Sequence, residues 1–238
     1  MQLDKFNWYI MLKNKSYIGI SFIILIFGIY AVPKIVDRIK NGDVVKGDRL
    51  DKVITHQNDT KNLVLIGPAP KFKLVNQDNK QITNEDYKGK VYVLEFFFST
   101  CPSICPKMNA SMLTIEDKFF GNPNFGIVSI SIDPAHDTPE ILKKHARFLG
   151  VKSSSWNFLT GDKDYIFNLA NKGFNLYAGE NSNVSGGFEH SGLFALIDKN
   201  GNIRCRKDDF GNPILYYDGL DKKGVRNIQQ DINTLLNE

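Results

Sequence analysis

The apolar positions of this chain fall into one long unbroken run near the N-terminus. After a polar stretch they return as short runs separated by periodic segments. The first run, Tyr17–Val32, carries no charge, and with Ser16 and Pro33 it is just long enough to span a bilayer as a helix. Pro33-Lys34 closes it, and the tyrosines at its ends suit a membrane interface. A cleaved signal peptide is the competing reading. Such peptides have a shorter apolar region ending in small residues, whereas Tyr30-Ala31-Val32 is a poor cleavage site and no following cysteine could carry a lipid. The expectation is an uncleaved anchor. The next stretch is polar and mixed in charge, so the predicted organisation is a cytoplasmic N-terminus (1–16), a transmembrane anchor (17–33), a tether (34–62) and a folded domain (63–238). Lys13 and Lys15 before the span predict that the N-terminus stays in the cytoplasm, although Lys34, Arg38 and Lys40 follow it.

In the domain the pattern alternates between strand and helix. Phe72–Val75 reads as a first strand, followed by a turn at Asn76–Asn79 and a short capped turn at Thr83–Asp86. Val91–Phe98 reads as a buried central strand. Pro106–Phe119 reads as a helix with Met108, Met112, Ile115 and Phe119 at core spacing. Phe125–Ile132 is a second strong strand, Thr138 opens a helix through Leu149, and Trp156–Leu159 is a short strand. Asp162 begins a helix ending near Gly173, and Phe188–Asp198 carries a strand centred on Leu193–Ile197. Asn200-Gly201 signals a hairpin into a strand from Ile203, and the chain finishes with a helix over Val225–Leu236. This order predicts an α/β domain with a mixed sheet and no internal repeat.

Composition changes this picture little until the cysteines. The formal charge of +4 is spread among acids, with no basic face interleaved with aromatics, so nucleic acid is not an expected partner. Three cysteines are too few for a disulfide scaffold. Cys205 reads as an ordinary strand residue. Cys101 and Cys105 stand between the strand and the helix that Pro106 opens, where Pro costs nothing. A helix N-terminus favours thiolate, the form that attacks disulfides and binds soft metals. On a helix the i, i+4 spacing puts the Cβ atoms ~5–6 Å apart. A disulfide needs a closer approach and a metal bridges a wider gap. The pair alone leaves redox and metal chemistry both open.

There are four histidines. His56 lies in the tether and reads as solvated, His145 as a surface residue in mid-helix, and His136 as part of a loop after a strand. His190 precedes the strand Gly192–Ile197 and follows the flexible Gly186-Gly187. A thioredoxin-like sheet would bring its loop beside the cysteines. Two thiolates and an imidazole make a soft, low-coordination site that suits copper. On spacing alone His190 reads more readily as a structural histidine than as a ligand.

Three segments then carry a specific likeness. Cys101-Pro-Ser-Ile-Cys105-Pro106 after the Phe-rich strand, Ile130–Glu140 (Ile-Ser-Ile-Asp-Pro-Ala-His-Asp-Thr-Pro-Glu), and Glu189-His-Ser191 with Leu196–Gly201 resemble, in order, the hallmarks of the Sco/SenC family. The resemblance implies a thioredoxin-like fold behind an N-terminal transmembrane helix. It also implies one copper ion, Cu(I) or Cu(II), on Cys101, Cys105 and His190, with Asp133 and Asp137 in a structural or partner-facing role. The implied partner is a copper-accepting subunit of cytochrome c oxidase, and possible company is a thiol reductant protein. The implied location is a single-pass membrane protein with the domain outside the cytoplasm, in a bacterial inner membrane facing the periplasm. Glu189 stands where an aspartate is common, and Phe98-Ser-Thr100 departs from the commoner pattern with glycine and histidine. The alternative to a copper-binding assembly factor is a thiol–disulfide oxidoreductase acting on a partner's cysteines through a mixed disulfide at Cys101 and Cys105. Against it stand the Cys-x-x-x-Cys spacing and the absence of a proline in Gly186–Ser191. A peroxidase lacks a clearly placed arginine.

Overall fold

The computed structural model describes residues 16–40 and 63–238, and its chain divides into two units, Met1–Asn58 and Asp59–Glu238. The expected cytoplasmic segment through residue 15, most of the tether, and His56 lie outside the described residues. In the first unit, helix α1 (Ser16–Lys40) runs through Pro33, where the sequence predicts its end. Proline inside a helix costs a hydrogen bond and a clash but need not stop it. Ile20, Phe22 and Phe27 on α1 are exposed. Among the described residues no helix is long and apolar enough to cross a membrane.

The second unit is the expected α/β domain. Its strands are β1 (Val64–Pro68), β2 (Lys73–Asn76), β3 (Gln81–Thr83), β4 (Val91–Phe97), β5 (Phe125–Ser131), β6 (Trp156–Thr160), β7 (Ala178–Glu180), β8 (Phe188–His190), β9 (Leu193–Ile197), β10 (Asn202–Lys207), β11 (Pro213–Ile214) and β12 (Tyr217–Asp218). Its helices are α2 (Cys105–Phe119), α3 (Pro139–Leu149), α4 (Lys163–Asn168) and α5 (Lys222–Asn237). The main sheet has the order β1-β10-β9-β4-β5-β6-β2-β3, with β11 added to β10 and β12 to β9. The β4-β5-β6 centre is parallel and every other pairing is antiparallel, which makes the sheet mixed.

β4 and β5 are buried at every position because the sheet is covered on both faces. Neighbouring residues of a strand point to opposite faces. Phe97 stacks on His145 of α3, while Phe96 meets Phe174 on the other side. His145 is therefore no surface residue. Its ring is half-buried between Phe97 and Phe158, and its Nε2 has no partner. The 3.6-residue repeat turns that position of α3 toward the sheet. Met108, Met112, Ile115 and Phe119 of α2 are in the core, as their spacing predicts.

Three hairpins share one device. Asn76, Asp198 and Asp208 each accept, through one side-chain oxygen, the N–H groups two and four residues on, at 2.8–3.0 Å. Each turn then needs a left-handed residue, supplied by Asn79 (φ 58), Gly201 (φ 80) and Gly211 (φ 85). The helices α3, α4 and α5 are capped by Thr138, Asp162 and Asp221. α2 has no side-chain cap.

Two further expectations need correction. The strand expected over Phe188–Asp198 is broken at Ser191-Gly192. β8 leaves the main sheet and pairs with β7 in a two-stranded ribbon, while β9 stays beside β4. Gly192 lies against Leu220, with no room for a side chain there. The helix from Asp162 is α-helical only to Asn168 and continues as a π turn, Leu169–Phe174, which Asn175 ends in the left-handed conformation (φ 52).

Candidate metal centre

The C-terminal end of β4, the start of α2 and the β7–β8 ribbon meet at one end of the sheet. Cys101 lies in the loop after β4, Cys105 opens α2, and His190 ends β8. All three are buried, and their ligand atoms lie within 4.8 Å of one another. Cys105 Sγ is 3.0 Å from His190 Nε2. His190 Nδ1 is 3.1 Å from the Ser191 carbonyl oxygen. A carbonyl only accepts, so Nδ1 carries the proton and Nε2 turns a bare lone pair to the sulfurs. Phe98 lies edge-on to His190, with ring centres 5.9 Å apart, and tilted against Phe188. Gly186, at φ 95, sits over Phe98 and Pro102 so closely that a Cβ would reach 3.0 Å from the ring.

Both thiols are free. The hydrogen bond from Cys105 pulls the Cys101 thiol well below the ordinary range, against its burial. The start of α2, where the helix dipole favours negative charge, lies beside it. The same shared bond pushes Cys105 up, and burial adds to the push. The first proton leaves this pair easily and the second resists, until a cation takes its place.

Asp137 is buried and accepts from the Ser99 backbone N–H (3.0 Å), the hydroxyls of Ser99 and Ser131, and His136 Nδ1 (2.9 Å). It ties the loop that enters Cys101 to the end of β5. Asp133 is half-buried, and its carboxylate receives only the His136 N–H, at 3.4 Å. His136 is exposed and stays out of the cluster. Cys205 is a buried thiol of β10, apart from the cluster. One residue was missed although its signal was visible. Glu95 is a lone charge inside the apolar β4, fully buried, and adjacent enough to push Cys105 further up.

The family model described as SCO1/SenC matches residues 66–222. The chain belongs to the SCO1/SenC family. Among its relatives is the SCO1 protein homolog of Bacillus subtilis, 33% identical over 138 residues, which covers 56% of this chain and 69% of that one. Among solved structures, a SCO1/SenC family lipoprotein from Bacillus anthracis is 30% identical at a TM-score of 0.62 and covers 71% of this chain and 95% of its own. Yeast Sco1 with copper bound is 26% identical at a TM-score of 0.53, covering 70% and 88%. BsSco, in which a disulfide switch has been identified, belongs to the Sco family of cytochrome c oxidase assembly proteins. It is 28% identical at a TM-score of 0.60. The family match spans the Cys-x-x-x-Cys loop, both aspartates and His190.

Proposed function

We propose that this protein is a copper-binding assembly factor for cytochrome c oxidase. Cys101, Cys105 and His190 would hold one copper ion as cargo and release it to an acceptor subunit by ligand exchange. The observation that carries this reading is the convergence of two sulfurs and a bare imidazole nitrogen within 4.8 Å. Thiolate and imidazole donors select soft metals, and copper most strongly. A structural zinc site takes four protein ligands, and the group found among the described residues has three. Copper-bound yeast Sco1 and the oxidase-assembly role of the family that includes BsSco support the reading. The uncharged run Tyr17–Val32 in the sequence, with Lys13 and Lys15 before it, supports a single-pass anchor that holds the domain outside the cytoplasm.

The easily formed Cys101 thiolate favours a second reading, a thiol–disulfide oxidoreductase acting on a partner's cysteines. One experiment separates the two. The protein, reduced and handled without air, takes up one copper per chain. His190→Ala weakens that binding by more than the roughly 10–100-fold typical of an outer-shell change. An unchanged affinity and spectrum in the variant removes His190 from the site. Reduced protein that takes no copper yet traps a mixed disulfide leaves the oxidoreductase reading standing.

A further inference from the structure

The cysteines and the histidine are held by different parts of the fold. Cys101 and Cys105 border β4 in the centre of the main sheet, whereas His190 belongs to a ribbon of three residues per strand. A ribbon that short does not hold its own geometry in water, so something outside it must fix His190. The Ser191 N–H donates to the Tyr177 carbonyl at 3.0 Å. The next pair, Ala178 and His190, is therefore one without hydrogen bonds between its backbones, and its side chains stand closer together. The N–H and C=O of Ala178 face away from β8, where they need other partners.

Asn171 meets both. Its Nδ2 donates to the Ala178 carbonyl at 2.7 Å and its Oδ1 accepts the Ala178 N–H at 3.1 Å. The amide thus takes the place of a third strand. The second Nδ2 hydrogen goes to the Phe167 carbonyl at 3.0 Å, which anchors the amide to α4. Asn171 stands in the π turn, and π segments with their extra residue recur where a side chain must be re-aimed. In the sequence nothing marks it, since Leu-Ala-Asn-Lys-Gly reads as the fading end of a helix.

We infer that Asn171 is a positioning residue for the metal site: it clamps the backbone of Ala178 and so holds His190 opposite the two sulfurs. This rests on the copper reading above, with His190 as ligand. The test is a double-mutant cycle on the full chain, reduced and under anaerobic conditions, read by competitive copper titration and by the nitrogen coupling in the Cu(II) electron paramagnetic resonance spectrum. Asn171→Ala is expected to weaken copper binding about tenfold, the scale of an outer-shell change, and to diminish the nitrogen coupling. In a His190→Ala background the same substitution is expected to change affinity no further, because its effect passes through the imidazole. Asn171→Asp keeps the shape but turns an oxygen toward two carbonyls, and it provides the second variant should Asn171→Ala fold poorly. A residue that is only structural would lower the melting temperature and leave the nitrogen coupling intact. Wild-type coupling in both variants, or full additivity with His190→Ala, overturns the inference. Wild-type protein that binds no copper overturns the preceding reading instead.

Discussion

Glu95 is a carboxyl group in surroundings that its chemistry does not prefer. One carboxyl oxygen accepts from Ser129 Oγ at 2.8 Å, and that hydroxyl in turn accepts from Trp156 Nε1 at 3.0 Å. The other oxygen is buried without a partner. Burial pushes this carboxyl from 4.5 up to about 7, and the Ser129 bond only partly offsets it. The fold therefore favours the protonated form. The stabilisation is complete below pH ~4.5 and is lost as pH rises through about 7. A gap of that size is worth about 3 kcal/mol at 1.36 kcal/mol per pH unit. Glu95→Gln is expected to flatten the decline in stability between pH 5 and pH 8 in urea unfolding. Equal slopes for variant and wild type would show that Glu95 ionises freely in the fold. A neutral Glu95 also spares the nearby Cys105 a buried like charge, so acidification eases the loss of the thiol proton on this account while raising its cost on the ordinary one.

Among the elements, the three side-chain-stapled hairpins show how one local rule has different weight in different places. At Asp198 the carboxylate is buried, and besides its two N–H partners it takes Arg204 Nη1 at 3.1 Å. Asp208 makes the same turn in a more open hairpin. Asp198→Ala is expected to cost about 3 kcal/mol, because it strips two N–H groups and leaves a guanidinium without its buried partner. Asp208→Ala is expected to cost under ~1 kcal/mol. Denaturant unfolding of the two variants checks the ordering, and equal costs would refute the argument from burial. Elements with a local code were legible in the sequence. The Asn200-Gly201 turn, the Thr83 capping box and the Asp162 and Thr138 caps all lie where their residues predict. The π turn and the break between β8 and β9 were not. Both are set by what lies across from them, the Ala178 backbone and Leu220, and no periodicity records a contact made across a loop.

At the scale of the molecule, the second unit contains a complete sheet covered on both faces, so a fragment spanning 59–238 is expected to unfold in one cooperative step with the wild-type midpoint. A broad transition or a markedly lower midpoint, followed by circular dichroism, would show that the first unit contributes to the fold. The alternation of strands and helices that implied a mixed sheet and the two-cysteine loop were readable because each strand, helix and loop is written in contiguous residues. The third member of the cluster was not decided by spacing. The family resemblance, not the spacing, named His190 as a ligand, and the fold carries it from another sheet to within 3.0 Å of Cys105. That long connection has a further consequence. Cys105 and His190 are 85 residues apart in the chain, and β5, α3, β6, α4 and the π turn all lie between them. An ion held by both closes a loop around more than a third of the protein, as a covalent staple would. By the loop-entropy rule for cross-links, a closure of that length removes roughly 4–5 kcal/mol of disorder from the unfolded chain for as long as both ligands stay attached. On the proposed reading, loading the ion would then also tie the chain shut, and handing it over would untie the knot.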